Sequence, residues 1–102
     1  MRRAALVLAL ALTAPASAQA AVHRYVLGHS SQGRPITAVE RGDPGATKRL
    51  LVFGMIHGNE PAGRAIARKL AATPPPPGVD EWVVEDLNPD GLAARTPLGK
   101  PR

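Results

Sequence analysis

Arg49-Leu50-Leu51-Val52-Phe53-Gly54-Met55-Ile56 runs straight into His57-Gly58-Asn59-Glu60-Pro61, and this junction decides the fold. Leu50, Leu51, Val52, Phe53, Met55 and Ile56 are apolar without alternation, the pattern of a short strand covered on both faces. Gly54 within the run predicts close approach of another backbone. Pro61 suits the first turn of a helix, where its missing N–H costs nothing, and Asn59 or Glu60 stands at the cap position. The spacing predicts a helix over Pro61–Ala72. Ala62, Ile66, Ala67 and Leu70 fall on one side, and Arg64, Arg68 and Lys69 mostly on another. Lys69 also suits the negative end of the helix dipole.

Upstream, Val22–Gly28 and Arg34–Glu40 read as two strands around the turn cluster Ser30-Ser31-Gln32-Gly33, which predicts an antiparallel hairpin. Arg41–Lys48 is a loop of Gly, Asp and Pro. Downstream, four consecutive prolines within Thr73–Gly78 end the helix. Trp82–Leu87 reads as a further strand, and Asn88-Pro89-Asp90-Gly91 as a type I turn. Leu92–Arg102 shows no regular element. Strand, helix and strand in this order make a β-α-β unit, so the fold class is α/β, with a β-hairpin leading into the unit. Asp80, Glu81, Glu85 and Asp86 bracket the last strand and read as a solvated acidic face.

The chain has 102 residues and a formal charge of +5. It is long enough for one domain. With one Phe, one Trp and one Tyr it lacks the aromatic platforms of a nucleobase-stacking surface. It has no cysteine, which excludes disulfides, thiolate metal sites and cysteine nucleophiles. Residues 1–20 read as a secretory signal peptide. Arg2-Arg3 precedes an apolar run from Ala4 to Leu12, and small-residue cleavage sites end at Ala18 and Ala20, the latter preferred. The run is too short to span a bilayer, which takes about 20 residues. Cleavage would release residues 21–102 as a secreted or periplasmic product with no membrane attachment. Without Arg2 and Arg3 the formal charge falls to +3, and no basic block remains to suggest nucleic acid.

The chemistry-bearing place is the end of the apolar strand. In open α/β sheets ligands bind beyond the carboxyl ends of the strands. His57 and Glu60 lie three apart across the strand-to-helix turn, and Gly58 suits a sharp turn. Imidazole and carboxylate are both good Zn²⁺ ligands. The same spacing also fits an acidic residue at a helix N-terminus beside a hydrogen-bonded histidine, and a catalytic zinc site takes three protein ligands. His23 and His29 read as solvated. Ser30 and Ser31 lack the nucleophile-elbow pattern, and no phosphate-binding glycine loop is present.

Three stretches together resemble the zinc carboxypeptidases of the carboxypeptidase A-like superfamily, in particular the bacterial murein-peptide amidases. They are Ser31-Gln32-Gly33-Arg34-Pro35-Ile36, Leu51 to Gly63 (LVFGMIHGNEPAG) and Leu87-Asn88-Pro89-Asp90-Gly91. The resemblance covers about residues 24–94. It implies the N-terminal part of a three-layer α/β/α fold with a mixed sheet, incomplete in this chain. It implies that His57 and Glu60 are two zinc ligands, and that zinc polarises a scissile carbonyl and activates water beside a glutamate base. The implied substrates are peptides, including cell-wall peptides cut between D-glutamate and diaminopimelate.

After the Asn-Pro-Asp-Gly stretch the family continues with an arginine, then with arginines and an asparagine that grip the substrate. Here Pro97 stands at the first of these positions. The family's third ligand, a histidine, and its catalytic glutamate lie further on, and no histidine follows His57. No catalytic residue is therefore assigned. The expectation is a frameshifted or truncated product that folds poorly, because of an open strand edge, and has negligible peptidase activity. Two other readings stand beside it. One is a deacylase of the same superfamily, against which the export signal counts. The other is a small secreted non-catalytic protein that binds peptides or cell wall. Oligomeric state is not legible.

Overall fold

A computed structural model describes residues 21–99. The expected signal peptide, residues 1–20, lies outside the described residues. The element order is β1 (Val22–His29), β2 (Pro35–Gly42), β3 (Lys48–Phe53), α1 (Pro61–Ala72), β4 (Val79–Val84) and α2 (Pro89–Ala94). The four strands form one mixed sheet in the order β1-β2-β4-β3. β1 and β2 form the expected antiparallel hairpin, with a register shift between Val26 and Gly28. β4 then pairs antiparallel with β2, from Val39↔Val83 to Gly42↔Asp80, and parallel with β3, from Lys48↔Val79 to Phe53↔Val84. The last strand in sequence is thus inserted between the hairpin and β3.

α1 covers one face. Val39, Val83, Ala67 and Ala71 are buried there, with Val52 and Leu70 packed against them. The helix lies close to the sheet because the contacting residues are small. A Cβ at Gly54 would stand 2.7 Å from the Ala67 Cβ, 2.9 Å from the Gly63 O and 2.6 Å from the Glu85 O. The close approach expected at Gly54 is therefore that of α1 and of the segment after β4. Ile66, expected on the packed side, is 63% exposed. The stripe of small residues, centred on Ala67 and Ala71, is what faces the sheet.

The opposite face carries Tyr25 stacked on Trp82, with ring centroids 5.1 Å apart, and no helix among the described residues covers it. The Tyr25 hydroxyl donates to the Glu40 carboxylate at 2.8 Å. The second helical layer implied by the resemblance is not among the described residues. None of the described helices is long and apolar enough to cross a membrane.

Two expectations about burial are reversed. β3, expected to be covered on both faces, is at the sheet edge among the described residues, and Leu50, Leu51 and Phe53 are 47%, 57% and 45% exposed. β4 is the buried strand, and Asp80 and Glu81, expected in a solvated acidic face, are 2% and 3% exposed. Their central position removes them from water whatever their side chains. Asp80 accepts from the Trp82 indole at 3.2 Å and lies 3.5 Å from the Arg49 guanidinium. Glu81 lies opposite Arg41 in the ladder, and Arg41 also donates to the Ala71 O at 2.8 Å. Glu85 and Asp86 sit nearer the surface, paired with Arg68 and Arg64 of α1.

Burial pushes the Glu81 carboxyl above its ordinary range, while the charge of Arg41 pulls it back. One Glu81 oxygen has no hydrogen-bond partner among the described residues. The folded state then holds a proton at pH values where the unfolded chain has released it. Stability should fall as pH rises from the ordinary glutamate range through the raised value. Glu81→Gln is expected to flatten that limb of the urea midpoint plotted against pH. An unchanged limb would show that another group causes it.

Candidate metal centre

The end of β3 is held by the segment that follows β4. Gly54 N–H donates to the Val84 O at 2.7 Å, Leu87 N–H to the Gly54 O at 3.1 Å and Asn88 N–H to the Met55 O at 3.1 Å. These bonds carry the parallel β3–β4 pairing past the ends of both strands. Met55 is 3% exposed and adopts φ 52°, a left-handed conformation uncommon for a side chain of its size. The reversal at Met55 ends β3 at Phe53, although the apolar run extends to Ile56.

Asn88-Pro89-Asp90-Gly91 is the opening of α2. The Asn88 side chain caps the helix by accepting from the Gly91 N–H at 2.8 Å, with Pro89 in the first turn. The expected type I turn is corrected to a helix start; the two share nearly the same dihedrals, so one passes into the other when the next residues continue. Asn88 Nδ2 also donates to the Pro97 O at 2.9 Å and to the Ile56 O at 3.3 Å. One asparagine therefore joins the α2 cap to the turn that carries His57.

Gly58 completes that joint. Its φ is not positive, so a sharp left-handed turn is not the reason for glycine here. A Cβ on Gly58 would overlap the backbone of Gly91. The turn holding His57 and Glu60 and the first turn of α2 meet glycine to glycine.

Asp90 ties in the third stretch. Its carboxylate accepts from Ser30 Oγ at 2.7 Å, Ser31 Oγ at 3.2 Å and Gln32 N–H at 3.3 Å, and from the Arg34 guanidinium at 2.9 Å. The Ser30 hydroxyl, with the Arg34, Ser31 and Gln32 donors, holds the Asp90 carboxyl below its ordinary range against the opposing effect of burial. The hairpin turn, the His57 turn and α2 are thus one cluster, which explains physically why the three stretches occur together. Along the sequence Ser30 and Ser31 read as hairpin-turn residues without a nucleophile pattern, and Asp90 as a residue of a separate turn. The spacing of polar residues in each turn was visible, but not that the turns meet.

The structure brings the His57 and Glu60 side chains together. His57 Nδ1 lies 3.0 Å from Glu60 Oε2, and both side chains are open to solvent. Glu60 is the N-cap residue of α1 and makes no side-chain capping bond, so its carboxylate is free to face His57. Two ligands about 2.1 Å from a tetrahedral ion stand about 3.4 Å apart. Parting the present pair by a few tenths of an ångström would admit Zn²⁺, so the donors fit that metal in type and spacing. Among the described residues no third His, Asp or Glu joins them. His23 stacks near Tyr25, with ring centroids 6.4 Å apart on the hairpin, and takes no part.

Beside the pair lies an open, mainly apolar pocket of about 270 Å³. It is lined by Met55, Gly58, Asn59, Pro61, Leu92 and Arg95.

The zinc carboxypeptidase family model matches residues 11–73, more than half of the chain. The chain belongs to the zinc carboxypeptidase family. The matched span contains the hairpin, β3, the His57–Glu60 turn and α1. No curated protein matches. Solved structures share the fold. An aspartoacylase family protein from Mesorhizobium loti MAFF303099 superposes with a TM-score of 0.60 at 22% identity, over 76% of this chain and 26% of that one. A succinylglutamate desuccinylase from Silicibacter sp. TM1040 gives 0.59 at 23% identity, over 83% and 28%. A metallo-carboxypeptidase from Burkholderia cenocepacia gives 0.51 at 23% identity, over 81% and 25%. The chain spans about a quarter of the length of these structures. The mixed sheet with α1 on one face is therefore of the α/β class that the resemblance implied.

Proposed function

We propose that His57 and Glu60 are two ligands of a zinc ion, and that the domain they serve hydrolyses amide bonds of peptides outside the cytoplasm. The observation that carries this is the 3.0 Å approach of His57 Nδ1 to Glu60 Oε2 at the end of β3, inside the family match. Bound there, zinc would supply a Lewis acid that polarises a carbonyl and acidifies water. The chain's own contribution is positional. Asn88 and Gly58 fix the His57 turn against α2, and Glu60 is set by the start of α1. The exposed side of the pair faces solvent, where a substrate can enter. Export rests on the pattern of residues 1–20, and a cell-wall peptide is the substrate class in keeping with it. The family match favours peptide hydrolysis over acyl-amino-acid hydrolysis.

Expression with the native leader, followed by competition with a chromophoric chelator, tests this reading. The mature product is expected to begin at Ala21 and to bind one zinc. His57→Ala and Glu60→Gln should each weaken binding by at least the ~100-fold that losing an outer partner of a metal ligand can cost. Zinc affinity untouched by both substitutions would refute the site, and a retained leader would refute export.

A further inference from the structure

The residues after the α2 cap, Thr96-Pro97-Leu98-Gly99, fold back over the start of that helix. Thr96 N–H donates to the Gly91 O at 3.0 Å, and Gly99 N–H donates to Thr96 Oγ at 3.1 Å. Gln32 Nε2 of the hairpin turn donates to the Gly99 O at 3.0 Å. Gly99 is buried at φ 78°, and a Cβ there would stand 2.8 Å from the Asp90 Cβ and 2.9 Å from the Gly91 N. A glycine that needs both a positive φ and an empty Cβ position belongs to a segment seated in one place. Leu98 is 78% exposed at the crest. Hydrogen bonds and close backbone contact, not burial of a large side chain, hold the segment down.

The segment reaches the metal turn through one carbonyl. The Pro97 O accepts from Asn88 Nδ2 at 2.9 Å and, at a long 3.5 Å, from the buried Gly58 N–H. That N–H belongs to the His57–Gly58 peptide, whose carbonyl accepts from Glu60 N–H at 3.1 Å. The peptide before it carries the Ile56 O, which accepts from Asn88 Nδ2 at 3.3 Å. Both peptide planes that meet at the His57 Cα are thus held, one by Asn88 and the other by Pro97 and Glu60. Fixing both planes fixes φ and ψ of the residue between them, and with these the direction in which its side chain leaves the backbone.

We propose that Thr96–Gly99 is a strap that positions His57, with Pro97 as the positioning residue. Its carbonyl sets the His57–Gly58 peptide and so keeps the imidazole beside the Glu60 carboxylate. This rests on the zinc reading for what His57 binds, though not for how its turn is held.

The test uses the full chain. Amide exchange at Gly58 and Glu60 is followed with EDTA present, with Val83 of β4 as the reference. Gly99→Ala lifts the strap. Thr96→Val removes only the oxygen that Gly99 N–H uses, and loosens the strap without added bulk. Leu98→Ala leaves the strap bonds in place. Exchange at Gly58 and Glu60 should quicken about 5-fold in Gly99→Ala, the worth of one ordinary hydrogen bond. It should quicken less in Thr96→Val and not at all in Leu98→Ala, while Val83 is unchanged. Competition with a chromophoric chelator, well below each Tm, should show zinc affinity falling about 10–100-fold in Gly99→Ala, the cost of losing an outer support of a metal ligand. Unchanged exchange at Gly58 in both strap variants would overturn the proposal. So would quickening only in step with Val83, or quickened exchange with wild-type zinc affinity. A wild-type chain that binds no zinc would refute the metal reading instead, and the exchange rates would still decide whether the strap holds the turn.

Discussion

Gly58→Ala is expected to lower the stability of the folded chain by roughly 3 kcal/mol or more, at or above the upper end of ordinary overpacking. The added methyl would overlap the Gly91 carbonyl carbon, Cα and oxygen. All three are backbone atoms, so no rotamer change relieves the clash. The two turns would have to part, and with them the Asn88 bonds to Ile56 and Pro97. Small domains sit near the lower end of the 5–15 kcal/mol stability range, so a loss of this size is a large share of the total. Gly33→Ala is the control. Gly33 has φ 78°, and an added methyl would meet nothing within 4 Å, so its cost is the local backbone penalty of about 1–2 kcal/mol. Urea denaturation of both variants should place the Gly58→Ala midpoint well below that of Gly33→Ala. Equal midpoints would mean that the Gly58–Gly91 contact does not hold the structure together.

Asp90→Ala is expected to free the hairpin turn from α2. It removes the acceptor of Ser30, Ser31, Gln32 N–H and Arg34 at once. Asp90 is 6% exposed, so the freed donors face a void that water fills poorly. The Tm should fall further than in Glu85→Gln, which breaks only the outer Arg68–Glu85 pair at 3.3 Å. Hydrogen exchange should quicken at Gln32 and Arg34 before it does in β4. The pH dependence follows from the lowered folded-state pKa of Asp90. Its stabilisation is complete above the ordinary aspartate value and is lost as pH falls through the lowered one. Asp90→Ala should therefore lose less stability on acidification than the wild type. A variant as stable as wild type, with the same acid limb, would remove Asp90 from the account of the fold.

Much of the local structure is legible because it obeys local rules. Pro61 and the Ala-rich stretch behind it specify α1 over Pro61–Ala72. Alternation and the Ser30–Gly33 turn specify the hairpin, with Gly33 at the positive φ that its turn needs. His57 and Glu60 meet because three residues across a strand-to-helix turn leave little freedom, and that approach needs no distant partner.

Other features depend on partners far along the chain. Burial of Asp80 and Glu81 follows from the place of β4 between β2 and β3, and composition alone reads both as solvated. The exposure of Ile66 follows from the close contact of α1 with Gly54, which only small residues permit. Asp90 reads as a turn residue until the hairpin, 56–60 residues earlier, is folded against it. Gly58 reads as a residue chosen for its φ until Gly91 is seen across the gap. Element types, the hairpin and the pairing of His57 with Glu60 can be read along the chain, since each depends on neighbours within a few residues. Which strand is central, which glycines touch and which carboxylates are buried cannot, because those depend on how distant segments exclude water from one another.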